Sequence, residues 1–372
     1  MRILYVTTVG STMHFFAALI RKLLDQGHTV DIACNEEIRP IPLCYRDWGC
    51  WVYPISCKRA PLSRANLAAV RQLRSIISSG GYDIVHCHTP VAGVCSRLAC
   101  RELRKTGLRV FYTSHGFHFY RGAPLKNWLL YYPAEKLCAR FTDTLITINR
   151  EDFELARRQL HAGRVAYVPG VGVDVEAFHN ARADREVLRS QLGIPAKAFL
   201  LISVGELNAN KNQQLIIQAL ALLKEPCVHY LLVGAGPQKK KLEAMAQSLG
   251  VAGQVHMAGF RSDVAKLYKI SDLNVFPSLR EGLGLAAIEG MAANLPLLCA
   301  DNRGTREYAG VFQREDFHSV CVSAEEYAAA IRRLMKDPAL YQQLSILGYE
   351  GAKRFSGEKV NRQMLELYED GM

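Results

Sequence analysis

The chain has 372 residues, 49% hydrophobic and 22% charged, which fits a soluble globular protein too long for a single growing core, so two domains are expected. No run reaches the ~18 apolar residues of a membrane span, and the start Met1-Arg2-Ile3-Leu4-Tyr5-Val6 is too short for a signal peptide and leads into a Gly turn. Eleven Cys without a Cys-x-x-Cys argue against a disulfide framework and for a reducing compartment. The net charge of +11 is lopsided: residues 1–150 hold 20 Lys and Arg against 9 Asp and Glu, and the rest hold 26 of each. A basic N-terminal part reads as attraction to phosphate, in nucleic acid or anionic lipid, beside the plainer reading of a solvated surface.

Residues 2–8 read as an apolar strand and Thr8-Val9-Gly10-Ser11-Thr12 as a turn. The spacing of Phe15, Phe16, Leu19, Ile20, Leu23 and Leu24 predicts a helix over 14–26, closed by Gly27. A strand over 29–34 completes a βαβ opening, the usual start of a doubly wound domain. Gly-x-Gly-x-x-Gly is absent, so Gly10 is read as giving a ligand close backbone access at a strand's carboxyl end. Strands follow at 51–55, 83–88, 109–113, 143–149 and 164–168. Between them lie a helix over 91–104 and an amphipathic helix over 64–79, with Leu67, Val70, Leu73 and Ile77 inside and Arg64, Arg71 and Arg74 outside. Pro169-Gly170-Val171-Gly172-Val173-Asp174 reads as a linker or hinge. The alternation then restarts at 199–204, 228–233, 255–258, 273–276 and 295–300, with a short strand at 320–322 and a helical run over 349–368. The expected fold is α/β: two doubly wound domains facing across a cleft, 1–172 and 173–350, with 351–372 crossing back to the first.

Ligands of open parallel sheets bind beyond the carboxyl ends of the strands, and the polar motifs fall there. Glu281 sits in a Gly-rich turn after the strand 273–276. Glu289, eight positions on, lies within an apolar helical run, where its charge needs a partner such as a sugar or ribose hydroxyl, or an Arg. Lys211 stands on a loop leading into a helix, placed for phosphate, although P-loop spacing is missing. Gly234-Ala235-Gly236-Pro237 is another strand-to-helix turn. His115, before Gly116, is a candidate donor or general acid with a pKa suited to neutral pH; His118, His86 and His88 compete with it. In His86-Cys87-His88, strand alternation sends Cys87 to the opposite face, against a metal cluster. Without an Asp-x-Asp clamp, a departing diphosphate would depend on Lys211, Arg side chains and helix dipoles. Phe117, Phe119, Tyr120, Leu125, Trp128, Leu129, Leu130, Tyr131 and Tyr132, with Arg121 and Lys126, mix core residues with a composition suited to a lipid interface.

Glu281 and Glu289 with seven residues between them, Lys211 after Val204-Gly205, Gly234-x-Gly236-Pro237 and Gly259-Phe260-Arg261-Ser262-Asp263 resemble the retaining glycosyltransferases of the two-Rossmann GT-B fold, over nearly the whole chain. Ser114-His115-Gly116-Phe117-His118-Phe119 and the 169–174 run are similar to the branch that builds bacterial surface polysaccharide. The resemblance implies transfer of a sugar from a nucleotide donor, UDP-linked, with retention, needing no cofactor and no metal. It implies that Glu289 holds the ribose hydroxyls and that Glu281, with the N–H groups of Gly282, Leu283, Gly284 and Leu285, holds the donor sugar. Lys211 would face the diphosphate, Gly10 would lie beneath it, His115 would face the reacting sugar, and Phe260 and Arg261 would lie near the base. Many members carry Arg at the donor-binding position of Glu206, so the second cation falls to Lys211 alone or to Arg303 or Arg306. The implied partners are the nucleotide sugar, a lipid-linked glycan and an anionic membrane surface, with no nucleic acid, for a cytoplasmic enzyme peripheral on the inner face of the cell membrane. An epimerase or hydrolase of the same fold, or a non-catalytic two-lobed binding module, would also fit these motifs.

Overall fold

Extended segments rich in Val, Ile and Leu make seven parallel strands in the N-terminal part: β1 (Arg2–Val9), β2 (Thr29–Asn35), β3 (Val52–Pro54), β4 (Ile84–His88), β5 (Arg109–Ser114), β6 (Thr144–Thr147) and β7 (Arg164–Tyr167). The computed structural model describes residues 1–37 and 40–370. The strand order is β3-β2-β1-β4-β5-β6-β7. Side-chain alternation divides the core into two layers. Leu4, Val6, Val85, Cys87 and Tyr112 face α2 (Ala65–Gly80) and α3 (Pro90–Cys100), whereas Ile3, Tyr5, Ile84 and Phe111 face α1 (Ala17–Asp25) and the terminal helix Gly357–Asp370. The alternation separates Cys87 from His86 and His88, as the sequence implies. A further helix, α4 (Leu125–Ala139), is tied to α3 by a buried ion pair, Arg97 Nη1 to Glu135 Oε2 at 2.8 Å, and the Tyr112 hydroxyl donates to Glu135 at 2.9 Å.

Five parallel strands build the second sheet: β8 (Phe199–Val204), β9 (Val228–Val233), β10 (Val255–Gly259), β11 (Leu273–Phe276) and β12 (Leu297–Cys299), in the order β10-β9-β8-β11-β12. Two of its helices, α5 (Gln214–Leu223) and α6 (Leu285–Ala292), follow β8 and β11. The chain divides into two units, Met1–Val171 with Glu358–Met372, and Gly172–Gly357. In each sheet the strand order reverses once, between β1 and β4 in the first and between β8 and β11 in the second. Such switch points are where open α/β sheets bind ligands.

Four local expectations are corrected. The helix expected over 14–26 opens as a 3₁₀ turn, Gly10–Phe16, before α1; Gly10, Met13 and Phe16 are buried at intervals of three, the period of that tighter helix. Residues 320–322 form no strand, only a single bridge from Val320 to Cys299. The run over 349–368 is interrupted: one helix ends at Ala352, and Ser356 is extended and bridges Val173 before the terminal helix starts. Leu67, expected inside, is 65% exposed.

Candidate active site

In the second unit, two loops that leave adjacent strands are stitched together at the switch point. Asn210 accepts from Leu279 N–H through its carbonyl at 2.8 Å and donates from its side chain to the Arg280 carbonyl at 2.9 Å. This register brings Lys211, beyond β8, to Glu281, beyond β11, with Nζ 2.7 Å from Oε1. Lys211 also lies 5.0 Å above the Phe276 ring. Glycines make the approach possible. Gly205 has φ +149 and a Cβ there would sit 3.2 Å from Lys211 Cε; a Cβ on Gly304 would sit 2.8 Å from Glu281 Cβ.

The Glu281 turn runs directly into α6. Gly284, at φ +88, caps the helix with a left-handed backbone, and the N–H groups of Leu283, Gly284 and Leu285 have no acceptor among the described residues. They stand at the positive end of the helix dipole, beside a Lys, an arrangement suited to an anion or a sugar oxygen. Helix α6 is pinned by Tyr268, whose hydroxyl donates to the Ala286 carbonyl at 2.6 Å, and by Asn274, whose amide donates to the Ala287 carbonyl at 3.1 Å.

Glu289 lies in the second turn of α6, half-buried. Its carboxylate has neither a hydrogen bond nor an ion pair among the described residues. Burial pushes its pKa up to about 7, and the Lys211 charge pulls the other way without cancelling that cost. Both glutamates therefore belong to one electrostatic neighbourhood around Lys211, yet only Glu281 is paired with it.

The other sequence candidates fall less centrally. Glu206 is exposed and accepts from the Asn208 amide at 3.0 Å. Phe260, 83% exposed, and Arg261 follow the edge strand β10, two strands from β8. Arg261 holds Asp263 through two bonds, 2.8 and 2.6 Å, so its guanidinium is already engaged. Of the two arginines offered as a second cation, Arg306 is engaged by Asp301 at 2.7 and 3.0 Å, while Arg303 is buried and donates to the Glu281 carbonyl at 3.3 Å. The sequence reading passed over the rest of this loop after β12, whose Asn302 donates to the Ser278 carbonyl at 2.8 Å. It also passed over Tyr308, whose buried hydroxyl has no partner among the described residues. Asn302-Arg303-Gly304 at a strand's carboxyl end was the available signal.

In the first unit, Gly10 is buried where β1 ends, and His115 is half-buried where β5 ends. His115 Nε2 is 3.3 Å from His88 Nδ1, and His88 stacks on Phe16 at 4.1 Å. His86 is held by Thr113 at 2.8 Å and by Tyr368 of the terminal helix at 2.5 Å. Burial lowers His86 to about 3, His115 to about 4 and His88 well below its ordinary value. The expected neutral-range pKa of His115 is thus corrected: desolvation leaves it an uncharged imidazole at pH 7. His118 instead stacks on Tyr131 at 4.5 Å.

Comparison with known proteins fits this geometry. The family described as glycosyl transferases group 1 matches residues 184–351, and the glycosyl transferase 4-like domain matches residues 13–170. A protein of Bacillus subtilis (strain 168) described as "Putative glycosyltransferase EpsD" is 40% identical over 375 residues, covering 99% of this chain and 96% of that one. The UDP-Gal:alpha-D-GlcNAc-diphosphoundecaprenol alpha-1,3-galactosyltransferase of Escherichia coli is 29% identical over 253 residues, 64% of each chain. Among solved structures, Anabaena Alr3699/HepE in complex with UDP and glucose superposes with a TM-score of 0.81 over 100% of both chains at 20% identity, a likeness of fold. Two Rossmann-like parallel sheets, family matches to both units and a full-length relative at 40% identity establish that the chain belongs to the group 1 glycosyltransferases, with the GT-B fold.

Proposed function

We propose that this glycosyltransferase takes a UDP-linked sugar and passes it, with retention at the anomeric carbon, to a lipid-linked glycan in the synthesis of bacterial capsule, exopolysaccharide or lipopolysaccharide. The observation that carries the reading is the Lys211–Glu281 pair at 2.7 Å beside three N–H groups that have no acceptor among the described residues. Transfer breaks the bond between the anomeric carbon and an oxygen of the donor diphosphate, which keeps the electron pair, and forms a bond to an acceptor hydroxyl oxygen, whose proton leaves to the departing diphosphate. Fixed positive dipoles and a cation are what such a leaving group needs. Lys211 and the start of α6 supply them, Glu281 holds sugar hydroxyls, and Glu289 holds the ribose. No metal or cofactor enters this scheme. The HepE complex with UDP and glucose supports the donor class, and the diphosphoundecaprenol named for the Escherichia coli relative supports the acceptor class. The excess positive charge of residues 1–150 supports attachment to the anionic inner face of the cell membrane.

Release of nucleoside diphosphate, measured across a panel of sugar nucleotides with and without lipid acceptor, tests the reading. Acceptor-dependent release, lost in Lys211→Ala and Glu289→Gln, is the expected result. Release without acceptor would instead mark a hydrolase, and no release from any donor a binding module.

A further inference from the structure

The first unit carries an apolar groove that the donor chemistry does not use. The segment 61–70, α3 and α4 border it, enclosing about 390 Å³. Its lining includes Leu62, Leu67, Leu98 and Leu130, which are 87%, 65%, 38% and 42% exposed. Single exposed leucines are ordinary, but four around one concavity mark a binding surface. This also accounts for Leu67, whose place on the inner stripe of α2 the sequence implies. Among the described residues Glu135 is the only acid lining the groove, and Arg97 and Tyr112 already hold it, so its charge is compensated.

One end of the groove opens onto a second cavity of about 310 Å³, because Pro61, Pro90, Val91 and Tyr131 line both. The second cavity is more polar than the groove, with Arg59, His118, Thr8, Thr12 and Thr89 in its lining. It sits at the carboxyl ends of β1 and β4, the switch point of the first sheet. Thr89 holds φ 66 and ψ 147 there, a conformation that non-glycine residues keep where the surrounding structure over-determines the backbone, often at ligand sites. Arg59 in the basin and Arg64 on the lip of the groove have no side-chain partner among the described residues.

We infer that groove and basin form one acceptor-lipid site. The hydrocarbon chain of a phosphate-linked lipid lies along the leucines, its phosphate meets Arg59, and its glycan reaches the sheet edge beside Gly10. This rests on the proposed lipid-linked acceptor and deepens it. Charge complementarity selects the occupant: an apolar trough ending in an unpaired guanidinium fits one chain with one anionic head. Neither a neutral bilayer nor an apolar protein face would engage that guanidinium.

Equilibrium dialysis with farnesyl diphosphate, run in parallel with UDP, tests the site. The double variant Leu67→Asp with Leu130→Asp, at two exposed positions, should weaken farnesyl diphosphate binding at least about tenfold, a loss of about 1.4 kcal/mol, and leave UDP binding unchanged. Arg59→Ala should weaken farnesyl diphosphate but not farnesol, which lacks the phosphate. Unchanged farnesyl diphosphate binding in the double variant overturns the inference. Displacement of the probe by phosphatidylcholine vesicles as readily as by unlabelled probe overturns it too, since the groove would then take bulk lipid. Conversion of a dimer to monomer by the leucine changes, with probe binding intact, would assign the groove to a second copy and overturn it equally. Failure of the underlying reading looks different: wild-type protein would release no nucleoside diphosphate with a lipid-free or a lipid-linked acceptor, whatever the groove binds.

Discussion

Replacing Glu289 by Gln gives the sharpest test of the site's electrostatics. The carboxyl's ordinary value of 4.5 is raised to about 7 in the folded chain, chiefly by burial. At about 1.4 kcal/mol per pH unit, ionising it in the native state costs about 3 kcal/mol, an upper figure because the group is only half-buried. Between pH 4.5 and about 7 the native state therefore holds a proton that the unfolded chain has lost. Stability from this group is complete below 4.5 and falls as pH rises through 7. Glutamine keeps the shape and drops the titration. Urea unfolding of both proteins from pH 5 to pH 9 should show near-equal stability at the acid end and an advantage for Glu289→Gln growing to about 2–3 kcal/mol at the alkaline end. Taking the difference cancels every titrating group the two proteins share. Two parallel curves across that range would mean that Glu289 is ionised and solvated, and the argument for a carboxylate awaiting a ribose would fail.

Three other substitutions probe the same architecture. Lys211→Ala removes the cation that Glu281 holds at 2.7 Å; losing a charge-assisted bond worth about 1.5–3 kcal/mol should weaken UDP binding about 10- to 100-fold by calorimetry, and less than a twofold change would remove Lys211 from the diphosphate. Gly284→Ala forces a side chain onto φ +88, with its Cβ 2.8 Å from Phe276 and 2.9 Å from the Tyr308 hydroxyl. A loss of about 2 kcal/mol or more is expected in urea unfolding, and an unchanged midpoint would show that the loop adopts another path. Tyr368→Phe strips a buried hydroxyl that joins Tyr5 at 2.6 Å and His86 at 2.5 Å; it should cost about 1–3 kcal/mol in the same assay, and a loss within error would mean that the terminal helix is held by apolar packing alone.

Much of the strand framework was legible because parallel strands buried on both faces read as short continuous apolar runs. Ile84 to His88 and Phe199 to Val204 lie close to their expected limits. What periodicity could not show was which apolar stripe would be covered. Leu67 falls on the inward arc of α2 at helical spacing, yet no element of the described residues closes over it, and the exposed leucine becomes part of a groove wall. Ser356 was equally opaque, since its extended backbone answers to a bridge with Val173, far off in sequence. At the site, the spacing of Glu281 and Glu289 was visible, whereas the pairing of Lys211 with Glu281 depends on Asn210 reaching the 279–280 backbone. Arg261 looked available from its place in the motif; the nearby Asp263 that engages it was in view in the same five residues.

The two units also divide the work of charge in a way composition concealed. The excess positive charge belongs to residues 1–150, which suggests cations at that unit's sheet edge. That edge is instead occupied by His86, His88 and His115, with burial holding all three below their ordinary values. A second imidazolium 3.3 Å from the first would have no counter-ion in the apolar wall of Tyr5 and Phe16. Neutral imidazoles at pH 7 can orient a sugar hydroxyl but bring no charge to the edge, while Arg59, beyond β3, remains unpaired among the described residues. Under the proposed function, Arg59 of the first unit would meet the phosphate of an acceptor, and Lys211 with the start of α6 in the second would meet the phosphates of a donor. Disfavoured as cations, the three histidines bring no ready proton donor to the first unit's sheet edge near neutrality.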